Sequence, residues 1–174
     1  MADLLVTDHE ELDGLGRGLF DAFDRGDAAE VLSKLDLVWA RLAIHIRAEH
    51  LHLFPALLAA SERGHVASGP SAGEVEGALS RLREDHNFFM RELAACVEAV
   101  KKRAAGETSN SAGELEAVRG RVQGVFERLG EHNRLEEEEV YLWPRTLLGG
   151  AERDRLDAAV RKELKNLPPR FGDA

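Results

Sequence analysis

Two histidine–carboxylate pairs carry the chemistry of this chain: His45-Ile46-Arg47-Ala48-Glu49 and His132-Asn133-Arg134-Leu135-Glu136. Each is preceded by an Asp-His pair, Asp8-His9 and Asp85-His86. The order His, His-x3-Glu, His, His-x3-Glu supplies imidazoles and carboxylates for a site that binds two metals. Residues at i and i+4 share a helix face, so His45 and Glu49 converge on one point, as do His132 and Glu136. An ionised carboxylate in an apolar interior is strongly destabilising unless a partner compensates it. A pair of divalent cations would do so, since a carboxylate can bridge two metals and a neutral imidazole offers an open nitrogen. Mixed nitrogen and oxygen ligation suits iron, manganese or zinc.

These residues need long helices to position them. The first is expected from about Thr7 to Arg25, opened by the capping-box sequence Thr7-Asp8-His9-Glu10. The second runs from about Asp27 to Arg63, with Pro55 kinking it or starting a new turn. After a loop from Gly64 to Pro70, Ser71-Ala72-Gly73-Glu74 caps a third helix that continues to about Ala105. Gly106 to Asn110 form the next loop. Ser111-Ala112-Gly113-Glu114 then caps a fourth helix reaching about Trp143, where Pro144 interrupts it. A short fifth helix, about Ala151 to Asn166, precedes Pro168-Pro169. No strand-like alternation is present. Short connections between long helices make neighbours antiparallel, which gives an all-α, up-down-up-down four-helix bundle. Residues 1–150 form this bundle, and 151–174 add a short helix and tail to the same domain.

The apolar stripes place the six residues on inward seams. The first helix reads Leu5, His9, Leu12, Gly16, Leu19, Phe23, and the second Val31, Leu35, Val38, Leu42, His45, Glu49, His52. The third reads Val75, Leu79, Leu82, His86, Phe89, Leu93, Cys96, Val100; the fourth reads Val118, Val122, Val125, Leu129, His132, Glu136. Counting from the helix ends puts His45, His86 and His132 at one level. His9 stands close to its helix start, so one flank of the site is expected to be less covered.

Composition narrows the function classes. The chain has 174 residues, 44% hydrophobic, 32% charged and only 6% aromatic, a balance that suits helices and argues against a β-sandwich. A formal charge of −9 speaks against nucleic acid as a partner. Lys101-Lys102-Arg103 stands at a helix end, where it complements the dipole. The single cysteine, Cys96, excludes a disulfide framework, a zinc-thiolate site and an iron–sulfur cluster within one chain. Neither a signal peptide nor an apolar stretch of the roughly 20 residues needed to span a bilayer is visible. A cytoplasmic protein, monomer or homodimer, is the expectation.

The ordered set His9, His45-x3-Glu49, His86, His132-x3-Glu136, with Leu53-Phe54-Pro55 and Val140-Tyr141 after the two motifs, resembles the hemerythrin-like, HHE cation-binding family. The resemblance covers about residues 5 to 148. It implies a four-helix bundle around a non-haem diiron centre, with Glu49 and Glu136 bridging the irons and the histidines in terminal positions. The oxygen-carrying members have a further histidine one turn after the third-helix histidine, where this chain has Met90, and an aspartate five residues after the last histidine, where this chain has Glu136 at four. Both departures match the bacterial and regulatory branches. An iron left with an open position suits reaction with a small oxidant better than reversible storage of oxygen.

The resemblance therefore implies redox chemistry with a small ligand, oxygen, peroxide or nitric oxide, of which peroxide decomposition is the enzymatic version. Two rivals remain open: a non-enzymatic oxygen or iron carrier or sensor, and an iron donor in nitrosative-stress repair. The branch that does the latter usually has a cysteine-bearing N-terminal segment, which is missing here. Manganese or a mixed pair could replace iron. Around the site, His52 is either an extra ligand or a neighbour of the ligands, Met90 lines the pocket, and Tyr141 either hydrogen-bonds near the metals or packs at the bundle end. His50 and His65 point off the stripe and read as surface residues, and Glu137 and Glu138 as a solvated face. Trp39, Trp143 and Cys96 read as packing.

Overall fold

The computed structural model of the chain describes residues 1–63, 69–106, 111–168 and 171, with the side chains of residues 111 and 112 left aside. Helix α1 spans Ala2–Arg25 and α2 spans Ala28–Ala48; a π-helical turn, Glu49–Leu53, leads directly into α3, Phe54–Glu62. Helix α4 is Ala72–Ala104 and α5 is Ser111–Glu138; a 3-10 turn, Val140–Leu142, leads into α6, Trp143–Leu147, and α7 is Gly150–Leu164. There are no strands among the described residues. Helix α1 packs on α2 and α5, and α4 packs on the same two, so the four long helices close a ring. This is the expected four-helix bundle, with α7 as an added C-terminal helix lying along α2 and the π-helical turn.

Local chemistry explains most of the boundaries. The Asp27 side chain accepts from the amides of Ala29 and Glu30 and starts α2. Ser71 and Glu74 form a reciprocal capping box at α4. Gly26, at φ 70°, ends α1 in the left-handed conformation that glycine adopts without strain. Lys101, Lys102 and Arg103 do lie in the last turn of α4.

Three expectations need correction. Thr7 caps nothing: α1 starts at Ala2, and the Thr7 hydroxyl donates to the carbonyl of Asp3 from inside the helix. Helix α2 does not run unbroken to Arg63, because the π-helical turn inserts one extra residue immediately after Glu49. The inward seam therefore passes from Glu49 to the fully buried Leu53, leaving His52 only partly buried. Helix α5 stops at Glu138, short of Trp143, and Pro144 falls in the first turn of α6, where its missing N–H is no loss. His65 and the capping side chain expected at Ser111 lie outside the described residues.

The core has two parts with a polar layer between them. The first packs Leu12, Leu42, Phe89 and Leu129 with the rest of one bundle half. The second packs Leu5, Leu53, Phe54, Leu82, Val140 and Tyr141, and receives Leu156, Val160 and Leu164 from α7. His9 falls between Leu5 and Leu12, Glu49 between Leu42 and Leu53, His86 between Leu82 and Phe89, and Glu136 between Leu129 and Val140. Because α1 begins two turns before His9, Leu5 and the second core cover that side. The less covered flank expected from counting is not there. Close approach of α1 and α5 depends on Gly16, where an added Cβ would meet the Phe126 ring at 2.4 Å.

Candidate metal centre

The buried polar and charged residues described are Asp8, His9, His45, Glu49, Asp85, His86, His132, Asn133 and Glu136. Six of these are the residues singled out by spacing, and the structure brings all six into one layer. Their donor atoms form two groups, each within 4.8 Å: Glu49, His86, His132 and Glu136, and His9, His45 and Glu136. Glu136 belongs to both. Its Oε1 is 3.0 Å from His132 Nε2 and its Oε2 is 3.3 Å from His9 Nε2. Glu49 spans the same gap, with Oε1 3.7 Å from His45 Nε2 and Oε2 3.3 Å from His86 Nε2.

Partners on the outer ring nitrogens orient these imidazoles. His45 Nδ1–H donates to Asp8 Oδ2 at 2.8 Å, and His132 Nδ1–H donates to Asp85 Oδ2 at 3.1 Å. His9 Nδ1–H donates to Glu137 Oε1 at 2.7 Å. His86 Nδ1 meets His50 Nε2 at 2.9 Å. The three carboxylates hold the protons of His9, His45 and His132 outward on Nδ1, so that Nε2 faces the centre, the arrangement a metal-binding histidine needs. Arg41 donates to Asp8 and, from Nη1, to the carbonyl of Leu164 at the end of α7 at 3.0 Å. Arg128 Nε donates to Asp85 Oδ1 at 2.7 Å.

Whether cations fit can be judged from the centre itself. Two pairs of Nε2 atoms face each other, His9 with His45 at 3.2 Å and His86 with His132 at 3.0 Å. Glu49 Oε2 and Glu136 Oε1 are buried and accept no hydrogen bond. Lone pairs and carboxylate oxygens converging this way repel unless positive charge lies among them. Protons supply that charge when no metal does. Burial works against a charged His9, yet Glu136, Glu137 and Glu49 overcome it and push the imidazole up to about 9. His132 is raised against burial by Glu136, Glu49 and Asp85. Burial would raise Glu136, but His132, His9 and His45 hold its carboxyl well below the usual range. Each of the two donor groups has the chemistry to hold a metal ion.

Tyr141 sits against both carboxylates. Its hydroxyl lies 2.7 Å from Glu49 Oε1 and 3.0 Å from Glu136 Oε2, and its ring stacks on His9 at 5.6 Å. Burial and these two negative charges push the phenol well above its ordinary value, so it is a hydrogen-bond donor here. Met90 is partly buried and packs on the first core part. His52 is in neither donor group; it lines a surface pocket of about 300 Å³ with Leu51, Arg63 and Leu148. Glu137 is exposed, as read, and also accepts from His9, whereas His50, read as a surface residue, is half-buried against His86. Trp39 and Trp143 pack against the two core parts, and Cys96 is buried in the first.

Sequence reasoning gave no role to Asp8, Asp85, Arg41, Arg128, His50 or Glu137. A signal was present for the first four. The Asp-His pair occurs twice, and the repeat extends outward as Arg41-Leu42-x2-His45-x-Arg47-x-Glu49 and Arg128-Leu129-x2-His132-x-Arg134-x-Glu136. No helix of the described residues is long and apolar enough to cross a membrane. Compared with the curated proteins and with the solved structures, the chain has no significant match. The family model described as the hemerythrin HHE cation binding domain matches residues 1–143, and the chain belongs to this family.

Proposed function

We propose that the layer holds a non-haem diiron centre and that the protein reacts with a small oxidant, with peroxide decomposition as its enzymatic form. His9 and His45 would hold one iron, His86 and His132 the other, and Glu49 and Glu136 would bridge them. The observation that carries this reading is the pair of buried carboxylate oxygens, Glu49 Oε2 and Glu136 Oε1, that accept no hydrogen bond and face imidazole nitrogens. Bound iron supplies electron transfer to or from a small ligand: peroxide, oxygen or nitric oxide.

The chain's own residues would do the rest. Leu5, Leu53, Phe54 and Phe89, all fully buried, keep bulk water from the layer. Tyr141 holds a proton on its hydroxyl between Glu49 and Glu136, within reach of a ligand entering between the carboxylates. In peroxide decomposition two hydrogen peroxide molecules give two waters and one dioxygen. The protons and electrons taken up by the first molecule are returned by the second, so the site needs a proton store and no external reductant. Asp8 and Asp85 keep His45 and His132 in the tautomer that points Nε2 inward.

Elemental analysis of protein from iron-supplemented cells tests the centre. About two irons per chain are expected, lost in a His45→Ala/His132→Ala variant that keeps its helix content. Retention of equal metal by the variant would refute the site. Oxygen evolution from hydrogen peroxide by the loaded protein tests the reaction; a stable oxygenated spectrum without turnover would favour reversible carriage instead.

A further inference from the structure

The site has an internal two-fold correspondence that relates α1 and α2 to α4 and α5. His9, His45 and Glu49 correspond to His86, His132 and Glu136. The supporting residues follow: Asp8 holds His45 as Asp85 holds His132, and Arg41 and Arg128 hold the aspartates. One residue after each central glutamate, His50 and Glu137 also correspond, and each reaches across the bundle to the outer nitrogen of a histidine. Five residues after each glutamate, Phe54 stacks on His86 at 6.0 Å and Tyr141 on His9 at 5.6 Å.

The correspondence breaks in charge at one of these positions. His45, His132 and His9 each have a carboxylate on Nδ1, whereas His86 has the half-buried ring of His50. For His86 to offer Nε2 inward, its Nδ1–H must donate to His50 Nε2. His50 then carries its own proton on Nδ1, facing outward as a neutral ring. A carboxylate acceptor draws the Nδ1 proton and makes the imidazole a stronger donor at Nε2; a neutral ring does so less.

We infer that His50 is a positioning residue that makes the two halves of the metal centre unequal, holding His86 in its ligating tautomer without strengthening it as a donor. Like Glu137 in α5, His50 follows its glutamate by one residue and reaches across the bundle; the π-helical turn sets which residue next returns to the inner seam. Helix α2 continued with ordinary periodicity would keep His52 on the inner seam, and the residue inserted after Glu49 gives that place to Leu53. Phe54 stacks on His86 and is tilted against His50 at 5.2 Å, so the three rings pack on one another. The inference rests on the proposed two-metal centre, and the test separates the two.

Cobalt(II), titrated anaerobically with a competing chelator into the full chain freed of metal, returns the number of ions bound and a dissociation constant for each. The parent is expected to bind about two ions with unequal constants. His50→Leu removes the acceptor and is expected to weaken one site about tenfold or more, leaving the other unchanged. His50→Gln, a neutral acceptor, is expected to keep the parent constants. His50→Glu, with Arg83 nearby over the Phe54 ring as countercharge, is expected to tighten that same site and narrow the difference. If the parent binds two ions and all three variants titrate as it does, His50 merely packs on His86 and the inference falls. If the parent binds no cobalt, the two-metal reading itself falls. Should His50→Leu fail to fold, the contrast between the Gln and Glu variants decides the matter alone.

Discussion

Asp8 Oδ2 lies 2.8 Å from His45 Nδ1, and both groups are almost wholly shielded from solvent. The aspartate comes from α1 and the histidine from α2, so this bond ties the helix that carries one histidine to the orientation of another. Asp85 does the same for His132 between α4 and α5. Replacement of either carboxylate by its amide, Asp8→Asn or Asp85→Asn, keeps the shape and removes the charge. Each is expected to weaken metal binding 10- to 100-fold, on the order seen when such supporting groups are changed. Chelator competition on the purified variants measures it, and unchanged affinity in both would show that the aspartates serve packing alone.

Tyr141→Phe leaves Glu49 Oε1 and Glu136 Oε2 without their shared donor inside an apolar shell. The metal-free protein is expected to lose about 1–3 kcal/mol of stability, the cost of an unsatisfied buried acceptor. Metal loading should shrink that loss, because cations then compensate the carboxylates. Urea denaturation with and without bound metal makes the comparison. An equal loss in both states would contradict the placement of cations beside these oxygens.

The pH dependence of the metal-free protein has a definite sign. His9 stands at about 9 in the folded chain against 6.5 for an unhindered imidazole. A raised folded-state value stabilises most below the unfolded value and loses that contribution as pH rises through the folded one. His132 is shifted in the same direction. Glu136, held low, is ionised throughout this window and contributes no slope. Stability of chelator-treated protein should therefore fall between about pH 6.5 and pH 9. Denaturant midpoints across that range check it; a flat or rising profile would show that His9 is not protonated in the folded metal-free state.

Gly16→Ala places a Cβ where the Phe126 ring lies, closer than carbon atoms pack. Forced overpacking of this kind is expected to cost about 1–3 kcal/mol, although alanine is the better helix former. Adding Phe126→Leu should recover part of the loss. A Gly16→Ala protein that melts higher than the parent would mean α1 and α5 separate without penalty.

Much of the bundle was legible because helical periodicity is local. The stripes through Leu5–Phe23, Val75–Val100 and Val118–Glu136 all face the interior as read, and the Ser71 cap and the Gly26 stop act where their chemistry puts them. The reading failed where a local signal competed with packing. Thr7 looks like a cap, but Leu5 has a core to fill and draws the helix back to Ala2. His52 continues the stripe on paper, and the π-helical turn displaces it.

The sequence by itself determined which side chains lie on inward seams, the four histidines and two glutamates among them, since i, i+3 and i+4 spacing is a property of a single helix. Only the tertiary structure decided what stands behind them. The partners of the outer nitrogens, Asp8 on His45, Asp85 on His132, Glu137 on His9 and His50 on His86, all come from a different helix from the ring they hold. No spacing within one helix encodes such a pairing. It follows from the rotation and height at which the four helices pack.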